Sequence, residues 1–158
     1  MDELVAYRQG LLSALVGVVT ELSKTVTVMP SNAWHLAYEP GVHTPHYTLA
    51  HLRELETQVF SSLLRRIMDE DTPLLPLFDD RAWMVSHYKP EKSAQAILEE
   101  FTDLRKQEVD WLKSLPSEGW CRTARHPWWG VHTLQWWVEL QLDFSNQHLE
   151  ELAAFLTM

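Results

Sequence analysis

The C-terminal residues 133–156 read TLQWWVELQLDFSNQHLEELAAFL. Their inward-facing candidates recur at steps of three, four and seven, namely Leu134, Val138, Gln141, Ser145, Leu152 and Phe155. This spacing puts side chains on one broad face of an α-helix. Thr133 is a suitable N-cap, because its hydroxyl can accept from a free amide of the first turn. The segment therefore predicts a long helix with one buried face.

Three further segments repeat this helical spacing, and no run of strict alternation predicts a strand. The predicted helices run from about Glu3 to Lys24, from 44–48 to about 70, and from about Ser93 to Ser114. Stretches rich in proline or tryptophan are predicted to be ordered connections, at 28–45, 71–90 (with one short helical turn near 81–85) and 117–131. Four helices of about 20 residues predict an all-α four-helix bundle, as a single domain over 1–158. The long connections argue against the simplest up-down-up-down order.

Charge and cysteine usage restrict the function classes. The 158 residues carry 13 basic and 22 acidic side chains, a net charge of −9, without any run rich in lysine or arginine. A nucleic-acid partner is therefore not expected. The apolar run 11–19 is preceded and followed by acidic residues and is too short to span a membrane, so it predicts part of an amphipathic helix. With Cys121 as the single cysteine, we expect a cytoplasmic protein with no membrane association.

Eight tryptophans are many for this length, and they concentrate in the C-terminal third. The pairs Trp128–Trp129 and Trp136–Trp137 cannot all face one core, because neighbours on a helix differ in direction by about 100°. Some of these rings are expected on the surface or under a partner. We therefore expect a homodimer, although the protein's own loops could cover the same rings.

Two histidines are the first candidates for chemistry. His51 lies one residue away from the apolar stripe of the second helix, and His148 lies on the inward side of the last helix. Histidines on different helices that face one bundle interior can share a metal ion. They can equally be core residues that form hydrogen bonds, and the spacing alone does not decide between the two.

Several motifs, taken in order, resemble those of the DinB/YfiT-like family. They are the segment 48–52 around His51, Asp79–Trp83 followed by Tyr88, Phe101 with Arg105, the run Trp120-x-Arg122-x-x-x-His126-Pro-x-x-Gly130-x-x-Thr133-Leu, and His148–Leu149. The resemblance covers most of the chain. It implies a four-helix bundle in a mirror variant of up-and-down topology, commonly dimeric. It also implies hydrolase-like or thiol-transferase activity on an unknown small-molecule substrate.

The resemblance further implies a divalent metal, zinc or nickel, held by three histidines. One comes from the second helix and two come from a His-x-x-x-His pair on the last helix. His51 and His148 match two of these ligands, but Phe144 stands four residues before His148. Residues at i and i+4 are side by side on a helix, so a side chain that cannot bind metal takes the third position. The metal site is therefore predicted to be degenerate.

Three alternatives follow from this replacement. Glu54, three residues after His51, could complete a site of two histidines and one carboxylate and serve as a catalytic base. A loop histidine could reach the pocket instead, the candidates being His35, His43, His46, His126 and His132. In the third alternative the metal is absent, and the bundle is a small-molecule binding or interaction module whose cavity is packed by Phe144 and the tryptophans.

Overall fold

A computed structural model describes residues 2–157 of the protein. The α-helices are α1 (Glu3–Val28), α2 (Pro45–Glu54), α3 (Ser61–Asp69), α4 (Asp80–His87), α5 (Ala94–Lys113) and α6 (Leu134–Leu156). A π-helical segment, Leu55–Phe60, joins α2 to α3 without interruption, and a 3₁₀ turn covers Ser117–Cys121. Short strands β1 (Thr123–His126) and β2 (Gly130–Thr133) precede α6.

Side-chain caps fix where most helices begin. Thr44, Asp79, Ser93 and Thr133 each accept a hydrogen bond from an amide in the first turn of α2, α4, α5 and α6. Such caps satisfy amides that have no partner within the helix. The caps at Ser93 and Thr133 agree with the sequence prediction, whereas α1 continues four residues past the predicted end at Lys24.

Four long helical rods form the bundle, with α2, the π segment and α3 acting as one rod. Both α1 and α2 pack against α5 and α6, so the first two rods lie at opposite corners of the bundle. The four-helix bundle predicted from the sequence is confirmed, and its order differs from a simple up-and-down arrangement. The mirror handedness implied by the resemblance stays a prediction.

Residues 117–131, expected as a loop, instead contribute to a β-hairpin. Its strands pair antiparallel with Thr123 opposite Thr133 and His126 opposite Gly130. Gly130 has a φ of +78°, which an L side chain rarely adopts, and the His126 ring accepts from the amides of Trp128 and Trp129. The expectation of no strand was wrong, because four-residue strands are too short to show a clear alternation.

The interior of the bundle is mostly apolar, and its most extensive buried polar network lies at the π segment. Arg105 is 0% exposed and bonds the Glu56 carboxylate at 2.6 Å, the Ser145 hydroxyl at 2.8 Å and the Leu15 carbonyl at 3.0 Å. The Gln141 amide donates to the same Glu56 carboxylate at 2.7 Å. These contacts join all four rods, and each charge has the hydrogen bonds that burial requires.

A second buried acid, Glu108 on α5, is less well paired. Its Oε2 lies 3.5 Å from the half-exposed guanidinium of Arg65, while Oε1 has no hydrogen-bond partner in the described residues. Burial raises the pKa of Glu108 to about 7, against the lowering effect of Arg65. Burial outweighs the ion pair because Arg65 remains in contact with water.

Among the described residues, α1 alone is long and apolar enough to cross a membrane. Its stripe Leu11, Leu15, Val18 and Leu22 is buried against the other rods. A core helix passes the same test of length and composition, so the expectation of no membrane association stays a prediction.

Candidate functional site

The rings of His51 on α2 and His148 on α6 meet inside the bundle. The His51 Nδ1 atom lies 3.0 Å from His148 Nε2, and the ring centroids are 4.9 Å apart. His148 is buried and His51 is half-buried. The structure thus brings together the two histidines that the sequence analysis selected from positions 97 residues apart.

The outer nitrogen of each ring has its own acceptor. His148 Nδ1 donates to the Phe144 carbonyl at 2.7 Å, one helical turn earlier, and His51 Nε2 faces the Asp80 carboxylate at 2.6 Å. A carbonyl and a carboxylate only accept, so both outer nitrogens carry protons. The remaining contact, between the two inner nitrogens, then requires one shared proton. Without a metal, the pair therefore carries one positive charge opposite the negative charge of Asp80.

Burial lowers the pKa of His148, and the nearby His51 lowers it further, against a raising effect of the Phe144 carbonyl. The ring of His148 therefore favours its neutral form, with Nε2 as the acceptor. His51 then donates from Nδ1 to His148 and from Nε2 to Asp80.

Asp80 is the carboxylate bonded to the histidine pair, Glu151 also lines the cavity, and Glu54 does neither. Asp80 follows the α4 cap, 29 residues from His51 in sequence. Glu54 accepts instead from the Arg53 guanidinium at 2.6 Å and from the Trp83 indole at 2.7 Å. With both oxygens engaged on that side of the helix, Glu54 is not brought to the histidines. The Asp79–Trp83 motif was the available signal for Asp80, but it did not identify which acid would face His51.

Phe144 lies beside the pair, as helical geometry predicted, and its ring packs 5.9 Å from that of Phe60. A ligating histidine usually gives its outer N–H to a carboxylate or carbonyl, which is how His51 and His148 are held. Their inner nitrogens could hold an ion. However, residues 2–157 contain no group of three or more histidine, cysteine or acidic side chains arranged for a metal. The residues present do not fit the three-histidine centre that the resemblance implies.

The loop histidines do not complete the set. His46 is buried and bonds the Tyr88 hydroxyl and the Lys92 carbonyl, while His35 packs on its ring. His132 bonds the Trp129 carbonyl. His43 lines the same cavity as the pair.

His126 also lines this cavity, and its tautomer is determined by the hairpin. Its Nδ1 accepts from two backbone amides, Trp128 at 3.1 Å and Trp129 at 3.2 Å. The neutral ring must therefore carry its proton on Nε2. Burial lowers the pKa of His126, and His132 adds to the effect, so the neutral form is favoured.

A cavity of about 490 Å³ ends at the histidine pair. Its walls come from the π segment, the 75–81 connection, the hairpin and α6. Besides the histidines, the aromatic rings that line it are Tyr47, Phe60, Phe78, Trp128, Trp129, Trp137 and Phe144. The volume is within the range of small-molecule sites, and an apolar wall with a few converging polar groups is typical of them.

Two of the tryptophans that line this cavity are exposed on the surface of the protein. Trp128 is 75% exposed and Trp129 is 45% exposed, whereas Trp137 is buried and packs against Trp129. The surface position of some of these rings agrees with the sequence argument. Whether a second copy covers them stays a prediction.

These features define a class: four-helix bundles with a histidine site between the second rod and the last helix. The chain belongs to the DinB superfamily, whose sequence pattern matches residues 14–152. The resemblance noted from the motifs is thereby confirmed.

A solved structure of YfiT from Bacillus subtilis is similar in fold, with a TM-score of 0.85 over 98% of this chain and 87% of that one, at 18% identity. YfiT is described as a probable metal-dependent hydrolase with an unusual four-helix bundle topology. No curated protein is significantly similar in sequence.

Proposed function

We propose that this protein binds a flat, largely aromatic small molecule in the cavity at His51 and His148, with one polar group of that molecule against the histidines. The proposal depends on one observation: an aromatic-walled cavity that ends on a pair of hydrogen-bonded imidazoles. Phe144 adds apolar surface where a metal ligand is implied by the family resemblance. The replacement therefore favours an apolar occupant over a third metal bond.

The polar end of the cavity determines what the occupant offers. The pair and Asp80 together are close to neutral, since one added proton balances one carboxylate. A hydroxyl can replace the contact between the two inner nitrogens, donating to one ring and accepting from the other, and a carbonyl can accept from the ring that carries the inner proton. Arg81 and Glu151 also line the cavity, one charge of each sign, so its lining does not select a charged ligand. A neutral aromatic alcohol or ketone is thus the class of ligand that fits.

Calorimetric titration with 2-naphthol tests this proposal, with naphthalene as the probe that lacks the hydroxyl. We expect His148→Asn to weaken 2-naphthol binding about five- to tenfold, because a typical hydrogen bond contributes about 1 kcal/mol. His87→Asn is the matched control, since His87 is exposed on α4 and does not line the cavity. Equal affinity for both probes, or no difference between the two variants, would contradict the proposal.

A second candidate is a metal-dependent enzyme of the hydrolase or thiol-transferase type. It is supported by the engaged outer nitrogens, which leave the inner nitrogens of His51 and His148 oriented toward a common point. Zinc or nickel would then need its remaining ligands from the substrate or solvent. Elemental analysis of untagged protein from metal-replete growth tests it: stoichiometric metal that is lost in His51→Ala supports this candidate, and protein without metal counts against it.

A further inference from the structure

Arg8 on α1 is a buried cation without an acidic partner. It is 7% exposed and forms no ion pair with any described residue. A buried charge normally requires a counter-charge, because removal from water costs several kcal/mol. The other fully buried arginine, Arg105, has such a partner in Glu56.

Neutral groups hold the Arg8 guanidinium in place. Nε donates to the Gln135 side-chain oxygen at 2.9 Å, and NH1 makes a longer contact of 3.4 Å with the Ser117 carbonyl. The Trp120 ring lies below the cation, 5.4 Å from its centre. These contacts orient the fork of N–H groups but do not neutralise its charge, and several of its five N–H donors have no strong acceptor.

Arg8 faces a cavity of about 790 Å³ between α1, the end of α5 and the 3₁₀ turn. Lys113 also lines it, and none of its lining residues is acidic. A cavity wall with two basic and no acidic side chains is unusual for a chain that has 22 acidic and 13 basic residues. The rest of the wall combines Gln9, Ser13 and Ser117 with an apolar surface that includes Leu12, Val16, Leu112 and Trp120.

We propose that this second cavity binds a small amphiphilic anion, with its carboxylate on Arg8 and Lys113 and its hydrocarbon part on the leucines and Trp120. A planar carboxylate matches the guanidinium fork and would supply the missing counter-charge. The site is independent of the function proposed above, because its lining residues and those of the histidine cavity do not overlap.

Sodium octanoate is the probe, followed by ¹H–¹⁵N NMR of the full chain, with octan-1-ol as its uncharged counterpart. We expect octanoate to shift the Gly119 amide and the Trp120 indole and to leave the Trp137 indole unchanged. Arg8→Gln should weaken binding about tenfold, in line with the loss of a charge-assisted hydrogen bond. Octan-1-ol should bind at least about tenfold more weakly than octanoate for the same reason.

Lys113→Gln provides the test if Arg8→Gln does not fold, because Lys113 is exposed. We expect a loss of about threefold, as for a solvent-exposed charge pair. Lys106→Gln is the matched control, since it removes the same charge from α5 two turns away and does not line the cavity. Equal affinities of these two variants would overturn the proposal.

Three other results would also overturn it. The first is that octan-1-ol binds as tightly as octanoate. The second is that the shifts caused by octanoate are confined to the histidine cavity. The third is that the Gly119 amide shifts on dilution without octanoate, which would mean that a second copy of the chain covers this face.

Discussion

Replacing Phe144 with histidine should convert the site into a zinc centre. The change restores a His-x-x-x-His pair on α6, and the i and i+4 positions place its ring next to His148. The other two ligands are already oriented, because the Phe144 carbonyl and Asp80 hold the outer nitrogens of His148 and His51. A backbone carbonyl makes the first of these bonds, so the substitution does not remove it.

The two histidine nitrogens already lie close to the separation that a zinc ion requires. Tetrahedral zinc with Zn–N bonds of about 2.0–2.1 Å places two ligand nitrogens about 3.3 Å apart. His51 Nδ1 and His148 Nε2 are 3.0 Å apart, so the rings need to separate by only a few tenths of an ångström. Zinc at about 100 times its dissociation constant stabilises the folded state by about 2.7 kcal/mol. For a chain of this length, that raises Tm by about 5–10 °C.

Thermal unfolding with and without zinc, combined with elemental analysis, measures this gain. The variant Phe144→Leu controls for the loss of the phenyl ring. The double variant Phe144→His/His51→Ala controls for zinc that binds to surface histidines. The reasoning is refuted if wild-type protein shows the same zinc-dependent rise as Phe144→His, or if Phe144→His binds no zinc although it folds.

Three further predictions concern stability and assembly. Because the folded pKa of Glu108 is raised from 4.5 to about 7, the folded state binds the extra proton, and the stability of the wild type relative to Glu108→Gln should fall by up to about 3 kcal/mol between pH 5 and pH 8. The comparison with this variant is needed because the lowered pKa values of His46, His126 and His148 favour folding as the pH rises. Chemical unfolding of Glu108→Gln should show a smaller fall, and an identical pH profile would contradict this. Arg105→Met should cost about 3–5 kcal/mol because it leaves the buried Glu56 carboxylate without its cation. Adding Glu56→Met should recover part of that loss, and additive effects in the double-mutant cycle would count against the pairing. Light scattering at two concentrations should show the expected homodimer, and Trp128→Ser should weaken it; a strict monomer would end that expectation.

The rods of the bundle could be predicted because their apolar residues repeat at helical spacing over 20 residues or more. The same spacing placed His51 and His148 on inward faces, and the structure has them in contact. Asp80 could not be predicted in the same way. It lies at the start of an eight-residue helix within a proline-containing connection, where no repeated spacing indicates direction.

Glu54 shows that closeness in sequence does not determine which groups a side chain contacts. Three residues from His51 on a helix should place it nearby, but Trp83 and Arg53 provide donors that hold its carboxylate elsewhere. Such competition depends on α4, which is distant in sequence. The hairpin was missed for a different reason: its four-residue strands are too short to show an alternation, and the His126 ring that accepts from two amides at its turn does not affect the strand spacing.

The π segment Leu55–Phe60 has a consequence for how the second rod can vary. Its i to i+5 hydrogen bonds place more residues in one turn than an α-helix does, so the helical frames before and after it are rotated relative to each other. His51 belongs to the first frame, whereas Leu63, Leu64 and Ile67 belong to the second. The segment holds about one residue more than an α-helix of the same rotation, so deleting one residue there would restore a uniform helix with both halves facing as before. A one-residue deletion in α2 or α3 would instead turn one half by about 100°. The π segment is therefore the position in the rod where a one-residue deletion should change the facing of the two halves least, and a relative without the extra residue should keep both halves in register.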